Sequence, residues 1–349
     1  MCPILLSVVS FMTSAAAAPP FYADHTQLLV TLDEQGAKHP VRTADDWLVR
    51  RKQILANMQL VMGPLPDRSK LAPLDVRVIE EVDCGEYVRK AISFVSEGDD
   101  RVPAYLLMPK GLAGKAPAML CLHQTTGIGK GEPAGVGGLP NLHYAAELAA
   151  RGYVTLAPDY PGFGDYPRNL YEHDYVSATM KGIFNHMRAV DLLQALPEVD
   201  PERIGVIGHS LGGHNSIYVA VFDTRLKVVV SSCGFNAFTD YMGGDLTGWS
   251  HDGYMPRIAS VYHCDPKQMP FDFPELIGAL APRPVFVNAP TRDANFLTGV
   301  DECIAAANPV YRLYGAEDKL VIVHPDSEHD FPPQVREQAY AFVDGVLKH

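Results

Sequence analysis

The run Arg203-Ile204-Gly205-Val206-Ile207-Gly208-His209-Ser210-Leu211-Gly212-Gly213 restricts the fold of this chain more than any other stretch. It reads as a short apolar strand that turns directly into an amphipathic helix over 215–222. A serine sits at the corner, with glycines two residues to either side. Glycine has no Cβ, so Gly208 and Gly212 let the corner tighten and let neighbouring backbone come close. A serine on such a corner presents its hydroxyl above the sheet edge, and the amide of Leu211 faces an incoming oxyanion from the helix N-terminus. Ser210 is the candidate nucleophile, and the Leu211 amide is a candidate oxyanion donor.

A corner of this kind needs a parallel sheet around it. From residue 118 onward, strands over 119–122, 153–157, 226–231, 284–288 and 320–323 alternate with helices over 141–151, 176–196 and 333–347. That alternation marks a mainly parallel α/β sheet covered on both faces. Ahead of it, strands over 74–83, 86–95 and 103–108 are separated only by short turns and should pair antiparallel. A helix over 47–62, opened by Thr43-Ala44-Asp45-Asp46 and stopped by Gly63-Pro64, should pack outside the domain. Residues 21–40 read as irregular. The domain reading is an N-terminal extension over 19–102 and a catalytic core over 103–349. Within the core, 234–272 is long, glycine-bearing and aromatic (Phe235, Phe238, Tyr241, Trp249, Tyr254, Tyr262). It belongs at the strand C-terminal edge, where parallel sheets bind ligands. It reads either as a substrate-facing cap or as a packed surface excursion.

The first residues stand apart. Pro3 to Met12 is mostly apolar and Ala15 to Ala18 offers small residues for cleavage, although the usual basic start is missing. A signal peptide over 1–18 is expected, and with it a periplasmic or secreted location. The apolar run is too short to span a bilayer. Of the remaining cysteines, Cys121 and Cys233 read as small buried hydrophobes, and Cys264 and Cys303 are the pair an oxidising compartment would allow. There is no C-x-x-C and no zinc spacing. A net charge of −12, from 29 basic and 41 acidic residues without a Lys/Arg block, argues against a nucleic-acid partner. No membrane partner is expected after cleavage, and the oligomeric state is open.

A serine hydroxyl is a poor nucleophile at neutral pH and needs a base, which in turn needs an orienting acid. His329, in Pro325-Asp326-Ser327-Glu328-His329-Asp330-Phe331-Pro332, sits well inside the loop between the last strand and the last helix, free to swing over the sheet edge. His324 reads as a strand-terminal polar residue. Asp293 lies in the exit loop of the 284–288 strand and is the candidate acid. Its rivals Glu317 and Asp318 precede the final strand and should lie at the opposite end of the sheet. The loop after 119–122, His123-Gln124-Thr125-Thr126-Gly127, should give a second oxyanion amide, at Thr125 or Gln124. Gly127-Ile128-Gly129-Lys130-Gly131 lacks the first glycine and the Ser/Thr of a phosphate loop. The His324/His329 pair lacks a helix and a third ligand for a metal. Neither a cofactor nor a metal is expected.

With these residues in place the chain resembles the α/β-hydrolase superfamily, and within it the dienelactone-hydrolase-like and acetyl-xylan-esterase-like enzymes. The resemblance rests on Asp200-Pro201-Glu202-Arg203-Ile204-Gly205 leading into Gly208-His209-Ser210-Leu211-Gly212-Gly213, on Ala281-Pro282-Arg283-Pro284, and on His329-Asp330-Phe331-Pro332. It runs from about Pro103 to the C-terminus. It implies a mostly parallel, eight-stranded sheet, a triad on Ser210, Asp293 and His329, and cofactor-free hydrolysis of a small-molecule or carbohydrate ester. Two departures stand out: dienelactone hydrolases proper use a cysteine nucleophile, and many relatives have His-Gly where this chain has His123-Gln124. A peptidase of the prolyl-oligopeptidase type shares the triad order, but no propeller repeats precede this domain. A non-catalytic binding protein on the same fold is the remaining alternative.

Overall fold

The computed structural model describes residues 18–167, 174–293 and 298–348. The expected signal peptide falls, but for its last residue, outside them. The chain opens with a hairpin of β1 (Val30–Leu32) and β2 (Lys38–Pro40), where the sequence had suggested no regular structure. Helix α1 (Ala44–Met62) follows, and its capping box is the one read from the sequence. Thr43 Oγ1 accepts from the Asp46 amide at 3.2 Å while the Asp46 carboxylate accepts from the Thr43 amide at 3.0 Å. Strands β3 (Arg77–Asp83), β4 (Tyr87–Glu97) and β5 (Asp100–Pro109) pair antiparallel, as their short turns require.

The strand–helix alternation then runs β6 (Ala116–Leu122), α2 (Tyr144–Ala150), β7 (Val154–Pro158), α3 (Ala178–Ala195), β8 (Val199–His209), α4 (Leu211–Phe222) and β9 (Leu226–Ser232). It ends with α5 (Arg257–Ser260), α6 (Phe273–Leu280), β10 (Val285–Asn288), α7 (Thr298–Leu313), β11 (Leu320–Val323) and α8 (Pro333–Leu347). The main sheet has nine strands in the order β11-β10-β9-β8-β6-β7-β5-β4-β3, one more than the resemblance implied. The six strands β6 to β11 are mutually parallel, and the antiparallel β5, β4 and β3 extend the sheet beyond β7.

Period-2 alternation decides which layer each strand residue meets. In β6, Ala118, Leu120 and Leu122 face the core under α1, α3, α4 and α6, while Met119 and Cys121 face the core under α2 and α8. Ile204 and Val206 of β8 join the first group and Ile207 the second. Burial on both faces explains why these strands read as continuous apolar runs. Because β8, β9, β10 and β11 are parallel, their C-terminal ends share one edge, and the loops that leave them meet there. The five cysteines within the described residues are all unpaired, so Cys264 and Cys303 do not form the bridge that compartment alone would have permitted. Among the described residues no helix is long and apolar enough to cross a membrane.

Candidate active site

Ser210 sits between β8 and α4 with φ 53° and ψ −117°, a left-handed backbone that costs a non-glycine residue about 1–3 kcal/mol. Its amide continues the β8–β9 ladder by donating to Ser232 O at 2.8 Å. The glycines are required by contact. A Cβ on Gly208 would lie 2.2 Å from Gly212 O, and one on Gly212 would lie 1.9 Å from Leu122 O at the end of β6. Neither neighbour is a side chain that could move aside. Leu211 is the first residue of α4, so its amide is among those that no intrahelical bond uses.

The structure brings His329 and Asp293 together. Asp293 is buried, and its Oδ2 lies 2.6 Å from His329 Nδ1. Two backbone bonds lace their loops together: Thr291 N donates to Pro325 O at 2.9 Å and Arg292 N to Ser327 O at 3.1 Å. Asn288, the last residue of β10, donates from Nδ2 to Asp330 O at 2.9 Å and to Ser232 Oγ at 2.8 Å. Ser232 Oγ in turn contacts His209 Nδ1 at 2.9 Å, and the His209 ring packs edge-on against His329 at 4.8 Å. Burial, with the neighbouring His329 second, pushes the His209 pKa well below its ordinary value. The ring behind His329 is therefore neutral and places no competing charge there. His324 bonds Ala289 O and Asp301, in keeping with a strand-end position. Glu317 and Asp318 precede β11 and lie at the far end of the sheet from Ser210.

Ser210 and His329 line one cleft of about 210 Å³, walled by His214 of α4 and by Tyr241, Trp249 and Tyr254 from the 234–272 segment. That segment is thus both packed and cleft-facing: Phe238 and Trp249 are buried, with Trp249 against Tyr241, Tyr254 and Phe273. Thr125 is exposed and lies beside the Tyr254 phenol at the cleft wall. The loop that carries it is pinned from below. His123 accepts from the Tyr160 amide on Nε2 at 3.0 Å and therefore donates from Nδ1 to Gln124 O at 2.6 Å. Burial lowers the His123 pKa and keeps it in this neutral form. Gly129-Lys130-Gly131, the phosphate-loop look-alike, is a short turn whose lysine is buried between Asp159 and Asp165 at 2.7 and 2.6 Å. Cys233, Asp293 and His329 bring one donor atom each within 4.8 Å of one another. Burial first, then Asp293, raises the Cys233 thiol pKa, and the other two donors, Asp293 and His329, are already paired with each other.

Sequence reasoning missed the supporting residues His209, Ser232 and Asn288, and it missed His214 as a cleft wall. The serine and asparagine end strands β9 and β10, so their position at the ligand edge was the available signal.

Residues 131–345 match the sequence profile of the Alpha/beta hydrolase family. The chain belongs to that family. Among relatives of this hydrolase, YtaP of Bacillus subtilis (strain 168) is 29% identical over 315 residues, covering 85% of this chain and 99% of YtaP. Carbohydrate esterase MZ0003, from an unknown prokaryotic organism, is 29% identical over 135 residues, 36% of this chain and 31% of that esterase. The fold is shared with a glucuronoyl esterase from Solibacter usitatus, with a TM-score of 0.70 and 20% identity over 95% of this chain and 99% of that one.

Proposed function

We propose that this hydrolase is a serine carboxylic-ester hydrolase that works through an acyl-enzyme on Ser210. The observation that carries the reading is the His329 Nδ1–Asp293 Oδ2 contact of 2.6 Å, with His329 and Ser210 bordering the same cleft. With Nδ1 held by the carboxylate, Nε2 is the nitrogen available as base. Ser210 Oγ attacks the ester carbonyl carbon and its proton passes to His329 Nε2. The Leu211 amide, with that of Thr125, receives the oxyanion. Collapse expels the alcohol, which takes the proton from Nε2. Water then attacks the acyl-enzyme through the same base and releases the acid.

The substrate proposed is an acetylated carbohydrate or another small-acyl ester. Three features support this: the modest cleft, its aromatic walls, and the presence of carbohydrate esterases among the relatives. Among the described residues that line the cleft there is no Lys, Arg, Asp or Glu, which favours an uncharged group at the reacting end. Purified protein is expected to hydrolyse p-nitrophenyl acetate, with Ser210→Ala cutting the rate by ~10³-fold or more. Cleavage of aminoacyl-p-nitroanilides in preference to the acetate would replace this reading with a peptidase. An unaltered rate in Ser210→Ala would end it.

A further inference from the structure

Two walls of the cleft carry buried polar atoms that the protein itself does not use. His214 is 4% exposed, and Trp249, from the short helical turn Thr247–Trp249, is 3% exposed. Their rings lie 4.8 Å apart, and both line the cleft with Ser210. Among the described residues neither His214 Nε2 nor Trp249 Nε1 has a hydrogen-bond partner. Burial depresses the His214 pKa to about 3, so the ring is neutral and one of its two nitrogens is an acceptor. With the proton on Nδ1, Nε2 is that acceptor, while the indole N–H is only a donor.

Buried polar atoms without partners are rare in folded chains, and a pair of them on the wall of a cleft is best explained by what the cleft binds. An acceptor beside a donor matches a hydroxyl, which gives one hydrogen bond and receives others. A carboxylate only accepts, an ammonium only donates, and a methyl group does neither. We propose that His214 and Trp249 form a hydroxyl subsite. The esters this enzyme takes then carry a free hydroxyl near the reacting carbonyl, as a partly acylated sugar or polyol does. Tyr241 and Tyr254 supply apolar ring faces for the C–H surface of the same molecule. This inference rests on the esterase reading and narrows its substrate. Behind His214, Tyr218 Oη is also without a partner, with the two rings 5.5 Å apart. A structural water bridging these groups is the rival occupant.

The test compares a mono-O-acetyl methyl glycoside with its analogue in which the neighbouring hydroxyl is replaced by hydrogen. Wild-type enzyme is expected to favour the hydroxylated ester by about 10- to 100-fold in kcat/KM, because the analogue leaves the two nitrogens unpaired. In His214→Phe the ratio should fall close to one, and His214→Gln, which restores an acceptor, should recover part of it. Trp249→Phe is read in the same way if the histidine variant does not fold. A wild-type ratio near one, or a ratio unchanged in the variants, overturns the subsite and leaves a structural water. Hydrolysis of both esters at equal rates ends only the subsite. Failure of the wild type on both, and on p-nitrophenyl acetate, ends the esterase reading and the subsite with it.

Discussion

Asp293 shows how much one contact decides. Its carboxylate is buried and holds His329 Nδ1 at 2.6 Å, so an amide there offers the imidazole a hydrogen instead of taking one. Asp293→Asn is expected to lower kcat by about 10³- to 10⁴-fold through the wrong histidine tautomer. Its volume is unchanged, so the urea midpoint should stay near that of wild type. Stopped assays on p-nitrophenyl acetate with a parallel unfolding curve read both quantities, and a loss below tenfold would remove Asp293 as the orienting acid. Ser210, Asp293 and His329 could be singled out in the sequence because each lies in the turn or loop that leaves the C-terminal end of a parallel strand, and the order of those strands along the chain fixes the edge at which the loops emerge. His214 was not legible. It stands in α4 next to Asn215 and Ser216, and only the fold reveals which of these polar residues borders the cleft. Thr125 was partly legible: its loop follows β6 as expected, but its place beside Tyr254 brings together loops that sequence spacing cannot relate.

At the scale of elements, the alternating strands and helices were readable wherever burial on one or both faces imposed a period. The β1–β2 hairpin, α6 and α7 escaped. Each hairpin strand has three residues, too few for alternation to register, and α7 carries Pro309 inside it. Helix α6 carries a capping box, Asp272 and Glu275 around Phe273-Pro274, but it has only eight residues and follows directly on the long aromatic segment. Glu275 is wholly buried. It pairs with Arg50 of α1 and with His25 at 2.9 Å, which ties the N-terminal extension to the core. Breaking a buried pair leaves an uncompensated charge, so Arg50→Ala should cost about 3–5 kcal/mol in urea unfolding. Pairing it with Glu275→Gln should return a large part of that loss. A double variant no more stable than Arg50→Ala would mean that Tyr22, whose ring lies 3.3 Å under the guanidinium, carries the contact instead.

The whole molecule has an acid limit that follows from its buried histidines. His186 and His214 are each held at about 3 by burial, and burial also lowers His123 and His209. The unfolded chain returns them to the ordinary value of 6.5. Between the folded and unfolded values the unfolded state binds protons that the native state refuses. Their contribution to stability is therefore complete above 6.5 and is lost as pH falls. Asp272 works the other way. Burial raises it from 3.8 to about 7 against the amides of Phe238 and Phe273, so its contribution falls as pH rises across that window. Four histidines oppose one carboxylate, and unfolding near pH 5 should take up about two to three protons. Stability should then drop on the order of 3 kcal/mol per pH unit below 6. Urea midpoints measured from pH 7 to 4.5 read this directly. His186→Phe keeps a ring in the same buried place without a titrating nitrogen, and it should reduce the slope by about one proton. A midpoint that holds steady or climbs on acidification, or a slope unaltered in His186→Phe, would show that these imidazoles are protonated in the native state after all.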